Sequence, residues 1–365
     1  MSALEAAMIE EIRRAGPIST ARFMALALSH PTLGYYARHD PLGASGDFVT
    51  APEISQAFGE LLGLWLAQAW TDLGRPEPCL LVELGPGRGT LMADLLRAAA
   101  QVPGFRVSLR LHLVETSARL RSLQRARLAG ESVRWHAALD EVPAGPMLLV
   151  ANEFLDALPV HQLVATERGW RERMVGLAGS ELAFTLSDRP PELARRLPAS
   201  ERALGAIAEV GPLRSGIAAA IGRRLAADGG VALLIDYGAW TELTGDTLQA
   251  VRDHAPWPVL RAPGEADLSS HVDFRALAEA AADAGAAAYG PVPQGPFLRA
   301  MGIDLRVARL LRDATPAQRR ELRAALFRLT DAGAMGELFK VLALARPDAP
   351  PPPGFSAPTL TPGAR

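Results

Sequence analysis

Glu83-Leu84-Gly85-Pro86-Gly87-Arg88-Gly89-Thr90 decides the fold once its flanks are read with it. Upstream, Cys79-Leu80-Leu81-Val82 is a short apolar run of the kind that forms a buried parallel strand. Downstream, the apolar residues of Leu91 to Arg97 recur at helical spacing. A strand, a glycine-rich turn and a helix make a nucleotide-binding crossover, because glycine permits tight turns and lets a ligand approach where a Cβ would collide. The spacing is G-x-G-x-G rather than the G-x-G-x-x-G of dinucleotide folds, and Glu83 precedes the first glycine. A carboxylate there repels a pyrophosphate and attracts a cationic sulfonium bearing an α-amino group. The pattern therefore points to S-adenosylmethionine rather than NAD, with Glu83, Gly85, Pro86, Gly87, Gly89 and Thr90 as cofactor-binding candidates. The competing reading is a plain structural turn.

The next strand runs from Val107 to Val114 and ends at Glu115. A strand-tip carboxylate can accept from both ribose hydroxyls; alternatively it only complements the N-terminus of the helix that Thr116 or Ser117 caps. Val133-Arg134-Trp135 predicts a third strand, after which Asp140 is either an adenine contact or a surface acid. Met147 to Ala151 predicts a fourth, ending in Asn152-Glu153-Phe154-Leu155-Asp156, with Asn152 facing the cofactor. Strands alternating with helices predict an α/β fold with a mostly parallel sheet.

Around this frame the sequence predicts a helical cap with a lid loop over residues 1–75, a cofactor-binding domain over 76–345 and a proline-rich mobile tail over 346–365. Ser19 can cap a helix through Phe23 and Leu28. Thr50-Ala51-Pro52-Glu53 has the form of a capping box that starts a helix running through Trp65. An insertion at about 160–215 reads as antiparallel strands around Gly169 and Glu181–Leu186. Gly230 to Ile235 is a further strand with Asp236-Tyr237 at its tip, and Glu337 to Leu344 is the closing strand.

Composition narrows the function. A hydrophobic fraction of 49% over 365 residues supports one large core or two modest ones. Net charge is −2 and the arginines are interspersed with acids, which argues against nucleic acid as a partner. The single cysteine, Cys79, excludes internal disulfides and cysteine-rich metal sites, so no metal is expected. The first twenty residues carry Glu5, Glu10 and Glu11 and fit neither a signal nor a transit peptide, and the apolar run at 61–67 is too short to span a bilayer. A cytoplasmic setting is expected.

In an open parallel sheet, ligands bind beyond the carboxyl ends of the strands. Glu83, Glu115, the Glu153/Asp156 pair and Asp236 are thereby expected to converge. If the chain turns helical after Asn152, Glu153 and Asp156 share one face and can grip a planar cation such as guanidinium. The bland alternative is that they only favour a helix N-terminus.

The order of motifs resembles the MidA-like family, which includes the mitochondrial complex I assembly-factor protein arginine methyltransferases. The matching segments are Gly46 to Glu60, Glu83 to Thr90, Val114-Glu115, Ala151 to Pro159, Asp236-Tyr237-Gly238, Gln294 to Leu298 and Met335 to Leu342. The resemblance covers roughly residues 17 to 345. It implies a class I methyltransferase fold, S-adenosylmethionine as donor, and symmetric dimethylation of an arginine in the hydrogenase-like peripheral-arm subunit of NADH:quinone oxidoreductase. The alanine-, glycine- and arginine-rich sequence without a transit peptide suggests a bacterial member acting in the cytoplasm, with eukaryotic relatives in the mitochondrial matrix. Glu153 and Asp156 are then the catalytic candidates, Asp47 and Thr50 belong to a lid over the cofactor, and Asp236, Tyr237 and His161 face the substrate. A lone histidine beside a strand, such as His161, is more often a hydrogen-bonded structural residue. A homodimer is left open. The rivals are methylation of another substrate and a cofactor-binding assembly chaperone without turnover.

Overall fold

The computed structural model describes residues 2–39, 49–197, 203–240 and 245–363. Two compact units emerge, each assembled from several stretches of chain: Met1–Phe48, Asp156–Arg214 and Thr241–His271 form the first, and Val49–Leu155, Ser215–Trp240 and Val272–Arg365 the second.

The second unit is built on the predicted strands and, at Ala287–Pro293, one more that the residue pattern does not single out. They are β1 (Cys79–Leu84), β2 (Leu109–Val114), β3 (Val133–His136), β4 (Met147–Asn152), β5 (Gly230–Ala239), β6 (Ala287–Pro293) and β7 (Phe339–Ala345). Their order across the sheet is 3-2-1-4-5-7-6, and Val272–Asp273 adds a short parallel pairing to β5. β1 to β5 are parallel where they pair, whereas β7 runs antiparallel to both β5 and β6. β1, β4 and β5 are almost continuously apolar because helices cover both faces of a parallel sheet. Chain order reverses between β1 and β4, and a crevice opens at such a switch point beyond the carboxyl ends of the strands.

Two helices set the depth of the core beside β1. After the short turn α1 (Ala51–Ile54) come α2 (Gln56–Asp72) and α3 (Thr90–Ala99). The continuous helix expected from Thr50 to Trp65 is interrupted at Ser55, whose extended backbone ends α1 and whose side chain accepts from Ala57 N–H at 3.2 Å to start α2. Gly59 and Gly63 lie one turn apart on α2 and touch α3. A Cβ on Gly59 would sit 2.6 Å from Asp94 Cβ, and one on Gly63 would sit 2.8 Å from both Ala98 Cβ and the Leu95 carbonyl. α2 buries Phe58, Leu62, Trp65 and Leu66 in the sheet's own core. It therefore belongs to this unit, and the boundary expected at residue 75 falls instead before Val49.

The closing segment also departs from expectation. Residues 346–363 are docked: Trp65 Nε1 donates to the Pro353 carbonyl at 2.7 Å, Phe355 packs on the Tyr289 and Phe297 rings, and Leu360 bridges to Ala288 on the edge strand β6. Proline removes backbone donors and fixes φ, so such a segment makes no ladder; it holds on through rings and carbonyls.

The first unit contains helices Ala3–Ala15 and Thr20–Ser29, the latter capped by Ser19 accepting from Arg22 N–H at 3.0 Å. Its five-stranded antiparallel sheet includes His161–Thr166, Gly169–Ala178 and Glu181–Leu186, as the insertion pattern predicts. Leu4, Met8, Phe23, Met24, Val175 and Leu268 meet in its core.

Gly63→Val should be costly, because a branched side chain would enter the closest approach of α2 and α3. Overpacking of this kind costs about 1–3 kcal/mol. Urea unfolding should show the midpoint shift, and an unchanged midpoint would refute the packing role.

Candidate active site

The turn out of β1 is made by glycines. Gly85, Gly87 and Gly89 have φ of 61°, 53° and 80°, values that L side chains rarely adopt. At Gly85 a Cβ would also lie 2.5 Å from the Phe154 ring. Gly89 is the N-cap of α3 and offers no side chain to the helix's first N–H groups. Glu83 does so from below. Alternation along β1 puts it on the face of Cys79 and Leu81, and its carboxyl accepts from the Met92 N–H in the first turn of α3. The carboxylate expected to attract a cationic sulfonium is instead turned under the loop. Glu83 is fully buried, burial raises its pKa to about 8, and Oε2 has no hydrogen-bond partner among the described residues. At neutral pH it is mainly a neutral acid under the loop.

Glu115 stands at the tip of β2, ahead of α4 (Ala118–Arg127). Its Oε1 accepts from Ser117 N–H at 2.7 Å, and Oε2 accepts from Gln124 Nε2 at 3.3 Å. Burial raises its pKa while these donors oppose the rise. The helix-end role is thus present, and it also fixes the carboxylate's position beside the loop. Gln124 is a residue the sequence analysis did not single out. Fully buried, it donates to the Gly87 carbonyl at 2.8 Å and accepts from Trp135 Nε1 at 2.8 Å, tying loop, strand-tip acid and β3 together. Nothing in a helical Ser-Leu-Gln-Arg-Ala context signals that role.

At the tip of β4, Asn152 Nδ2 donates to Glu153 Oε1 at 3.0 Å. A carboxylate only accepts, so the amide nitrogen must face Glu153 and Oδ1 must point away. Oδ1 is buried and has no partner among the described residues. Glu153 itself has φ of 49°, a left-handed conformation unusual for a non-glycine residue and one that clusters at functional sites. Its N–H bonds the Ile235 carbonyl at 2.9 Å, and its Oε1 also accepts from Ala51 N–H at 2.8 Å. The capping box is not formed. Thr50 makes no side-chain cap, and Glu53 Oε1 accepts instead from Thr90 Oγ1 at 2.5 Å. Two carboxylates, Glu53 and Glu153, therefore fasten α1 to the cofactor loop and to β4.

Other expectations are redistributed. No helix follows Asn152, and Asp156 falls in the first unit, where Oδ1 accepts from Ala157 N–H at 2.8 Å. A shared helical face for Glu153 and Asp156 does not exist, because the left-handed Glu153 breaks the chain's direction. Asp236 is wholly buried, its two oxygens accepting from Leu155 N–H and Tyr237 N–H, both at 2.9 Å. It is a brace within β5, which runs on to Ala239, rather than a tip residue facing substrate. Tyr237 is turned into the core against Phe339. His161 Nδ1 lies 2.6 Å from Glu172 Oε1 on the neighbouring strand, the structural role. Asp140 is exposed after β3. Asp47 lies outside the described residues.

The residues present suit an aminoacyl-sulfonium nucleoside. The glycine turn offers a concave backbone without side chains, Glu115 offers a fixed carboxylate to a diol, and Asn152 Oδ1 is a buried acceptor awaiting a donor such as an ammonium. Sheet order, glycine turn and strand-tip acid together define a class I S-adenosylmethionine-dependent methyltransferase.

Comparison with known proteins agrees. The sequence profile of a family of S-adenosyl-L-methionine-dependent methyltransferases matches residues 61–292. A superfamily member from Burkholderia thailandensis, solved with S-adenosyl-homocysteine bound, is 33% identical with a TM-score of 0.82, covering 94% of this chain and 92% of that one. The mitochondrial protein arginine methyltransferase NDUFAF7 of Danio rerio is 38% identical over 362 residues, covering 91% of this chain and 84% of that protein. Its Homo sapiens counterpart is 37% identical over 365 residues, covering 92% and 82%. The chain belongs to the MidA-like family of S-adenosylmethionine-dependent methyltransferases.

Two outcomes follow for the strand-tip acids. The folded Glu83 keeps its proton where the unfolded chain has lost it, so its contribution to stability is full below 4.5 and is lost as pH rises to about 8. Glu83→Gln keeps the acceptor for Met92 and removes the titration. Urea unfolding at intervals across that window should show the wild type losing stability relative to the variant, with S-adenosyl-homocysteine still bound; parallel curves would refute the assignment. Glu115→Ala should weaken S-adenosyl-homocysteine at least about tenfold in calorimetry, as expected for loss of charge-assisted hydrogen bonds. Unchanged affinity would reduce Glu115 to a helix-end charge.

Proposed function

We propose that the protein methylates an arginine of a partner protein, and that the acceptor is the hydrogenase-like peripheral-arm subunit of NADH:quinone oxidoreductase, in a bacterial cytoplasm. The observation that carries the reading is Glu153, a strained, hydrogen-bonded carboxylate at the tip of β4, beside Asn152 and tied to the segment leading to the cofactor loop. The relatives named as arginine methyltransferases support the substrate class.

When bound, S-adenosylmethionine supplies an electrophilic methyl group. The chain's own work is positioning and removal of water. Gly85, Pro86, Gly87, Gly89 and Thr90 shape the loop that would hold the donor, Glu115 would take its ribose hydroxyls, and Asn152 Oδ1 its ammonium. A guanidinium keeps its proton in water, with a pKa above about 12, so its attacking nitrogen needs a carboxylate that localises charge away from it and accepts the proton as the bond forms. Glu153 is assigned that role. Asp156, in the other unit, is kept only as a second acidic candidate.

Glu153→Gln tests the assignment cleanly, because a glutamine oxygen still accepts from Ala51 and Asn152. S-adenosyl-homocysteine affinity should be retained while arginine methylation, followed by mass spectrometry of the subunit, falls about 10²-fold or more. Full turnover in the variant would remove Glu153 from the chemistry. Full rescue of oxidoreductase assembly by a methylation-dead variant would favour the chaperone reading.

A further inference from the structure

The helices α5 (Ile303–Leu310) and α6 (Pro316–Thr330), with the link between them, carry seven arginines and three acidic residues in a chain of net charge −2. Two of these arginines are used internally. Arg306 Nε donates to Glu60 Oε2 at 2.7 Å, and Arg328 Nη2 donates to the Val49 carbonyl at 3.1 Å. Arg309, Arg312, Arg319, Arg320 and Arg323 are exposed and form no ion pair among the described residues.

On α6 the arrangement is ordered. Leu322, Leu326 and Leu329 pack into the sheet's core. Arg319 and Arg323 are four apart, Arg320 and Arg323 three apart, and Phe327 four beyond Arg323. These residues share the solvent side of the helix. Like charges at this spacing repel, and a phenyl ring 60% exposed stands in water beside them. Leu305, 79% exposed on α5, adds a second apolar side chain. A face that repels itself and wets a ring is relieved by an anionic, partly apolar partner. Arginine's planar fork meets carboxylates through paired hydrogen bonds, so glutamates and aspartates suit it. A bilayer suits it less, because the leucine row that would enter lipid already faces the core. Through Arg328 the face ends beside Val49, immediately before α1.

We propose that the exposed face of α6, made of Arg319, Arg320, Arg323 and Phe327, docks an acidic, partly apolar segment of a partner protein. Resting on the reading above, that partner is the methyl acceptor, held here while its arginine reaches the catalytic unit.

The test is fluorescence anisotropy of the full chain with a labelled peptide of alternating glutamate and leucine, beside phosphatidylglycerol vesicles and a single-stranded oligonucleotide. Salt-sensitive peptide binding is expected. It should weaken about tenfold or more in the double variant Arg320→Glu, Arg323→Glu and by less in Arg320→Lys, Arg323→Lys, which keeps the charge and loses the paired fork. S-adenosyl-homocysteine affinity should stay constant in all three proteins, showing an intact fold. Equal peptide affinity in the charge-reversed and native proteins overturns the proposal, as does binding to vesicles or oligonucleotide alone. A wild type that binds the peptide yet methylates no arginine would instead overturn the arginine-methylation reading and leave the docking face standing.

Discussion

The sharp turn out of β1 constrains everything around it. A chain leaving a buried parallel strand must reverse into a helix while keeping its backbone open to a ligand, and glycines at φ of 61°, 53° and 80° do this without side chains in the way. That leaves α3 with a glycine N-cap and no side-chain oxygen for its first N–H groups. Glu83, turned under the loop, fills the deficit, and burial keeps it protonated enough to be tolerated there. α3 must also lie close to α2, and Gly59 and Gly63 allow that approach. Thus a single requirement, an uncluttered ligand-facing turn, accounts for glycines in two separate motifs and for a buried acid between them.

A second layer of order comes from carboxylates that tie segments rather than face solvent. Glu53 reaches Thr90 in the first turn of α3, and Glu153 reaches both Ala51 and Asn152. The left-handed backbone at Glu153 carries a cost of order 1–3 kcal/mol, which charge-assisted hydrogen bonds of similar size can offset. Strain offset in this way fixes a carboxylate in one place, the property a group handling a guanidinium needs.

Residue pattern alone reveals the sheet because strand burial and glycine spacing are local signals. Cys79–Val82, Met147–Ala151 and Gly230–Ile235 need only their own sequence to be read as buried parallel strands, and the insertion's hairpins are legible for the same reason. Side-chain direction at the strand tips is not local. Glu83, Glu115, Glu153 and Asp236 look alike as acids after apolar runs, yet one caps a helix from beneath, one fixes a helix start, one bridges to α1 and one braces two backbone amides. What separates them is which unpaired N–H lies within reach, and that depends on segments distant in sequence. Gln124 escaped notice because a buried glutamine on a polar helix leaves no periodic mark. The proline-rich end misled in the other direction: its composition lacks a core of its own, but the Trp65 indole, the Tyr289 and Phe297 rings and the β6 edge supply one.

Charge follows the same logic. Along the sequence the arginines alternate with acids and read as ordinary solvated surface. Folding removes that balance selectively, since Glu60 takes Arg306 and the Val49 carbonyl takes Arg328, while the arginines on the outer side of α6 form no ion pair among the described residues. A net charge of −2 is therefore compatible with a locally positive helix, because screening confines each group's influence to within about 10 Å. Recognition by such a protein is set by which charges the core packing leaves outside, and neither composition nor overall isoelectric point records that selection.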